Sequence, residues 1–254
     1  MKRLISWFSC GAASAVAAKL AIAESKTTGE EVVVAYCEVI EEHPDNARFL
    51  KDCEKWFGQK IVILGNDKYK RSIYEVFDKT RYLAGHGGAR CTLELKKNVR
   101  KKFEMPNDIQ VFGYTVEEQN RVDNFIDANN YVDLRVPLIE KGLTKQDCLA
   151  MIENAGIELP AMYKLGYKNN NCMGCVKAQS PAYWKKIAID FPEYFEAMSQ
   201  QEQRLGVKIC KTTIDGVADV RIPLTELPDR IKPMDDTIDI QCGIFCHMAE
   251  DDYK

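Results

Sequence analysis

A short apolar run, Leu4 to Phe8, breaks off at Ser9-Cys10-Gly11-Ala12-Ala13-Ser14 and passes directly into an alanine-rich stretch with helical spacing, from about Ser14 to Glu24. A strand that feeds a turn of small residues and then a helix is the opening of a parallel α/β unit. The pattern recurs along the chain. Val32 to Tyr36 is a β-branched run that reads as a buried strand, and Pro44 to Phe57 carries Phe49, Leu50, Cys53 and Trp56-Phe57 on one helical side. Ile61 to Leu64 and Ile109 to Gly113 are further strand candidates. Continuous apolar strands alternating with helices predict an α/β fold with a doubly wound, mainly parallel, Rossmann-like sheet.

Beyond this framework, His86 to Cys91 reads as a flexible loop before a basic helix, Thr92 to Phe103. Leu134 to Leu138 reads as a strand end. Thr144 is a helix N-cap, with the helix running through Asn154, Gly156 closing it and Pro160 preventing its continuation. Tyr163 to Cys175 is an ordered loop, followed by a helical stretch from Pro181. The last forty or so residues, about 215 onward, hold Pro223, Pro228 and Pro233 and many acids, and read as an irregular tail. The expected division is a nucleotide-binding domain over 1–170 and a cysteine-bearing C-terminal extension over 171–254 that packs over the site.

Composition narrows the function classes. With 254 residues, 46% of them hydrophobic and 29% charged, the chain has the balance of a globular cytoplasmic protein. A net charge of −3 gives no global nucleic-acid signature, although it leaves room for a local basic patch. The N-terminal small and apolar residues imitate a secretory signal, but Lys19 interrupts them. No 18-residue uncharged stretch suits a membrane span, so no membrane partner is expected. Ten irregularly spaced cysteines do not suit a secreted disulfide scaffold. The close pairs Cys172-Cys175 and Cys242-Cys246 read as metal ligands or as redox thiols in a reducing compartment.

The Ser9 to Ser14 turn has its own chemistry. Backbone N–H groups at a helix N-terminus, flanked by small side chains, surround an anion and add partial positive charge. A small-residue turn between strand and helix is also a common structural joint, so the turn alone leaves both readings open.

The run resembles the PP-loop pattern Ser-Gly-Gly-x-Asp-Ser, with Ser9, Gly11 and Ser14 in matching places, Cys10 in place of a glycine and Ala13 in place of the acid. Further stretches line up in order with the phosphoadenylyl-sulfate (PAPS) reductase family of the PP-loop superfamily, over roughly residues 4 to 180. They are Tyr36-Cys37-Glu38 through Phe49, Cys91 through Lys96, Gly113 through Arg121, and Val136-Pro137-Leu138 through Gly166-Tyr167. The resemblance implies a nucleotide site built on Ser9, Cys10, Gly11, Ala12, Ser14, Cys37 and Glu38, with the nucleotide either ATP or a sulfonucleotide (PAPS or APS). PAPS reductases also lack the loop acid, so Ala13 favours a substrate that arrives already activated. Asp45 is an alternative carboxylate for a metal.

The same resemblance implies Lys96 and Arg121 as neutralisers of the transferred group. The family's usual arginine pair is replaced here by Thr115 and Val116. An ion pair of Arg121 with Glu117 or Glu118 is the structural alternative. Lys97, Arg100, Lys101 and Lys102 are expected mostly on a solvated helix face. The iron-sulfur members of the family place a CxxC where Cys172 and Cys175 stand, with an earlier cysteine matching Cys91. The resemblance implies Cys91, Cys172 and Cys175 as ligands of an iron-sulfur cluster of the 4Fe-4S kind, with Cys246 or Cys242 as the fourth; the alternative is a zinc site of Cys172, Cys175, Cys242 and Cys246. Gln241-Cys242-Gly243-Ile244 is similar to the family's terminal segment, which makes Cys242 the candidate nucleophile. Cys37, Cys53, Cys148 and Cys210 read as core cysteines.

The expected activity is therefore sulfur transfer or sulfonucleotide reduction, with a thioredoxin-like reductant or a sulfur donor as partner. One alternative is ATP-dependent sulfur insertion into a nucleobase or nucleic acid at an iron-sulfur cluster. Another is a non-catalytic nucleotide-binding regulator.

Overall fold

The computed structural model describes residues 2–85, 87–228 and 244–252, with residues 244–247 placed by backbone alone. β1 (Arg3–Phe8) leads into α1 (Ala12–Thr28), β2 (Glu31–Cys37) into α2 (Asn46–Phe57), and β3 (Ile61–Leu64) into α3 (Ile73–Thr80). A tight hairpin of β4 (Ala84–Gly85) and β5 (Gly88–Ala89) precedes a π-helical segment, Thr92–Lys97, that continues into α4 (Asn98–Phe103). β6 (Ile109–Val111), α5 (Gln119–Ala128) and β7 (Asp133–Arg135) complete the sheet. Then come α6 (Pro137–Glu140), α7 (Lys145–Asn154), α8 (Ala161–Lys164), α9 (Pro181–Asp190) and α10 (Pro192–Leu205). The antiparallel pair β8 (Cys210–Ile214) and β9 (Val217–Ile222) and the helix α11 (Ile244–Asp251) end the described chain.

The five long-range strands are all parallel, in the order β3-β2-β1-β6-β7. Alternate side chains of β1 and β2 serve opposite faces, as the strand period demands. Phe8, Val34 and Tyr36 pack with Val16, Phe49 and Phe57 from α1 and α2. Ile5, Trp7, Ala35 and Cys37 pack with Val99 from α4 and half-buried Phe103 and Phe112. Helices thus cover both faces, consistent with the expected Rossmann-like α/β arrangement. The chain winds outward from β1 to β3 and then returns to place β6 on the other side of β1. That reversal opens a crevice at the carboxyl ends of β1 and β6.

A second core lies beside the sheet. Tyr69, Val76, Phe77 and Leu95 share it with Trp184, Met198, Ile209 and Ile222, so residues from both sides of position 170 contribute. Thr144 caps α7 as expected, in a reciprocal box with Asp147, and Gly156 follows the helix at φ +73°.

Two local expectations are corrected. The strand foreseen over Leu134 to Leu138 ends at Arg135, because Pro137 opens α6 at its first turn, where its missing N–H costs nothing. The tail foreseen as irregular contains β9 and α11. Asp215 and Gly216, at φ +48° and +79°, form the mirror-image turn that matches strand twist and joins β8 to β9. Among the described residues, no helix is long and apolar enough to cross a membrane.

Candidate functional site

The turn after β1 is shaped by its own side chains. Cys10 is fully buried at φ +54°, a left-handed conformation that glycine adopts without strain, and its carbonyl accepts from Asn170 Nδ2 at 2.5 Å. Ser14 Oγ donates to the Gly11 carbonyl at 2.9 Å, accepts from the Ser9 amide at 3.0 Å and lies 3.1 Å from Ser9 Oγ. The Ala12 amide donates to the Tyr163 hydroxyl at 3.3 Å. The amides of Ala13 and Ser14 lie in the first turn of α1 and precede the helical ladder, which begins with Ala15 N–H donating to the Gly11 carbonyl. They provide anion donors beside the positive end of the helix dipole. Gly113, just past β6, closes against this turn. A Cβ there would stand 2.8 Å from the Ala13 carbonyl group.

The crevice is a cleft of about 740 Å³, large enough for a nucleotide. Ser9, Gly11, Ser14, Cys37, Lys96 and Arg121, among the residues foreseen, line it. Arg100, Lys145 and Lys177 add three further cations to its wall, against the carboxylates of Glu117 and Glu118. The two cations singled out from sequence are already paired. Lys96 Nζ donates to buried Glu42 Oε1 at 2.8 Å, and Glu42 Oε2 accepts from Tyr36 Oη at 2.6 Å and from Asn46 Nδ2 at 3.1 Å. Burial works against the Lys96 charge, but the Glu42 carboxylate outweighs it and raises its pKa. Arg121 is largely exposed, pairs with Glu118, and sits 5.1 Å above the Tyr114 ring.

Arg100 departs from the expected solvated face. Its guanidinium lies 5.4 Å from the Trp7 ring and 4.9 Å from the Phe112 ring, with burial lowering its pKa. Its Nε is buried without a hydrogen-bond partner among the described residues. An arginine held against two aromatic rings at a cleft wall presents its remaining N–H groups to an incoming anion. Asn170 has a similar status: Nδ2 holds the Cys10 carbonyl and Asn46 Oδ1, while Oδ1 is buried without a donor. Sequence reading passed over Asn170 and Lys145. The run Asn169-Asn170-Asn171 just before the CxxC was the available signal.

The other foreseen residues are placed as follows. Cys10 and Ala12 sit buried behind the loop surface. Glu38 turns away to pair with Arg71. Asp45 does not suit a metal, because Arg48 takes both of its oxygens at 2.7 and 2.8 Å and the Ala161 amide adds a third contact at 2.9 Å. Cys37, Cys53, Cys148 and Cys210 are buried core thiols, as foreseen.

Cys91, Cys172 and Cys175 come into one electrostatic neighbourhood, half-buried at the edge of the second core. The CxxC turn is held by Tyr183, whose hydroxyl accepts from the Cys175 amide at 2.8 Å, and by Met173 N–H donating to the Glu41 carbonyl at 2.9 Å. Burial, then Cys175, pushes the Cys91 thiol up to about 11, and burial raises Cys172 well above its ordinary value. Thiols are the right donors for an iron-sulfur cluster or zinc. Even so, among the described residues no group of three or more His, Cys, Asp or Glu is arranged to hold a metal ion. The Cys246 side chain and the whole of Cys242 lie outside the described residues. The described thiols therefore match such a group in type and not in arrangement.

No family model matches the chain, and no curated protein matches it.

Proposed function

We propose that this chain is a PP-loop enzyme of the PAPS reductase-like kind that binds an adenine nucleotide in the cleft and uses it in sulfur transfer or sulfonucleotide reduction. The observation that carries the reading is the Ser9–Ser14 turn opening at the sheet's reversal point into a cleft walled by Lys96, Arg100, Arg121, Lys145 and Lys177. A phosphate at the α1 N-terminus receives the Ala13 and Ser14 amides, and Ser9 and Ser14 hydroxyls flank it. Arg100, and Lys145 from its bonds to the Lys168 carbonyl and Asn169 Oδ1, then neutralise a second anionic group on the same wall.

A second reading, ATP-dependent sulfur insertion into a nucleobase or nucleic acid, draws on one observation. Two cleft-lining lysines act on the cysteine thiols electrostatically, Lys177 and Lys96 on Cys91 and Lys96 on Cys172. Isothermal titration with ATP, APS and PAPS separates the two. Preferential APS or PAPS binding with sulfite released by a dithiol supports reduction. ATP binding with AMP formed only when a sulfur acceptor is present supports insertion. Adenine nucleotide binding with neither product leaves a non-catalytic regulator, and no nucleotide binding at all overturns the reading.

A further inference from the structure

A second concavity opens beside the first, between the β4–β5 hairpin and the β8–β9 hairpin, with a volume of about 440 Å³. Its charged side chains are Lys177, Lys208, Lys211 and Arg221, and among the described residues no carboxylate lines it. Lys211 Nζ lies 3.4 Å from Asp219, while Arg221 Nη1 donates to the neutral Lys208 carbonyl at 2.8 Å. Lys177 and Lys208 form no close ion pair among the described residues. A chain of net charge −3 has therefore gathered excess positive charge at one groove. Lys177 lines both concavities, so the groove and the nucleotide cleft share a wall.

The opposite rim is small-residue backbone with an exposed tyrosine just outside it. Ala84, Gly85 and Gly88 leave the main chain open on that rim, and Tyr82 stands beside it, 42% exposed, with its hydroxyl against Gly85. Cations that track phosphates, an exposed aromatic face and open backbone are together the elements of a single-strand platform. A mononucleotide would need only one of the two concavities. An acidic peptide would have no use for the aromatic face.

We propose that this groove binds a single-stranded nucleic acid, whose phosphates run along Lys208, Arg221 and Lys211 and whose chain passes Lys177 toward the nucleotide cleft. The groove stands on its own charge and shape. It rests on the sulfur-transfer reading only in naming the acceptor class, since Lys177 also lines the cleft that reading uses.

The test uses the full-length chain and a fluorescein-labelled single-stranded RNA of about 12 nucleotides, titrated by anisotropy at several salt concentrations. The expected result is salt-dependent binding that weakens by about ten-fold in Lys208→Ala/Arg221→Ala, with the slope of log K against log salt reduced by about 1.4. Tyr82→Ala is expected to weaken binding several-fold without changing that slope. Titration of ATP against the same variants is expected to be unchanged, and circular dichroism shows that they fold. RNA binding that is absent, equal in parent and double variant, stronger for duplex than for single strand, or displaced equally by polyglutamate overturns the proposal. Failure of ATP binding with RNA binding intact would instead remove the nucleotide reading and leave the groove.

Discussion

Gly113 approaches Ala13 so closely that a side chain at 113 would have to occupy the space of the Ala13 carbonyl, 2.8 Å away. The end of β6 and the first turn of α1 are thereby pressed together, and the anion-facing amides depend on that contact. Gly113→Ala carries no φ penalty, so its effect is steric and falls on backbone that cannot rotate away. It is expected to cost about 1–3 kcal/mol of stability by overpacking and to weaken nucleotide binding at least ten-fold. Urea unfolding and calorimetric titration of the same variant measure the two effects.

The arginines of the cleft are expected to rank opposite to their legibility in sequence. Arg121 pairs with Glu118 in solvent, whereas Arg100 packs against Trp7 and Phe112. Exposed ion pairs contribute ~0–1 kcal/mol and leave the arginine poorly positioned. Arg121→Ala should weaken inorganic phosphate or nucleotide binding less than three-fold, and Arg100→Lys at least ten-fold through loss of the planar, stacked donor. Equal effects of the two substitutions in a binding titration would contradict the ranking.

Glu42 restrains Lys96, and it does so as a buried carboxylate with three donors around it. Glu42→Gln keeps the side-chain shape and lowers the charge. We expect a stability loss of about 1–3 kcal/mol in thermal unfolding, and a several-fold gain in affinity for inorganic phosphate as Lys96 is released toward the cleft. A variant that loses stability without any change in phosphate affinity would show that Lys96 does not reach the ligand.

Asp45 ties the start of α2 to the chain before α8. Arg48 bonds its carboxylate, while also donating to the Glu158 and Leu159 carbonyls at 3.0 and 3.2 Å. The Arg48 hydrogen bonds, then the Ala161 amide, hold Asp45 below its ordinary pKa against the opposing effect of burial. The unfolded chain therefore binds this proton at higher pH than the folded chain does. The stabilisation is present above the unfolded value of about 3.9 and is lost as pH falls through the lower folded value. Melting temperature followed from pH 6 downward should fall more steeply in the parent than in Asp45→Asn over that acid window.

Much of the framework was legible because it depends on short-range patterns. The apolar run Leu4–Phe8, the β-branched run Val32–Tyr36, the Thr144 cap and the Gly156 stop each report a local preference, and each element is present. The β8–β9 hairpin was equally legible in Asp215-Gly216, and was missed because the prolines and acids around it read as irregular chain. The ion pair of Arg121 with Glu118, the structural alternative read from the sequence, is present, three positions apart on a helical turn.

By itself, the sequence determined the alternating strand and helix order, the small-residue turn that α1 follows, and the supply of thiols, since these reside in residue type and local periodicity. Only the tertiary structure decided where the charges went. Burial of Glu42 claimed Lys96, two rings from different strand ends captured Arg100, and Asn170 crossed the chain to hold the Cys10 carbonyl. It also brought Lys177, after the CxxC, to the wall shared by the cleft and the basic groove. Such pairings join residues tens of positions apart. They are set by which groups the packed core removes from water, and no local pattern encodes that.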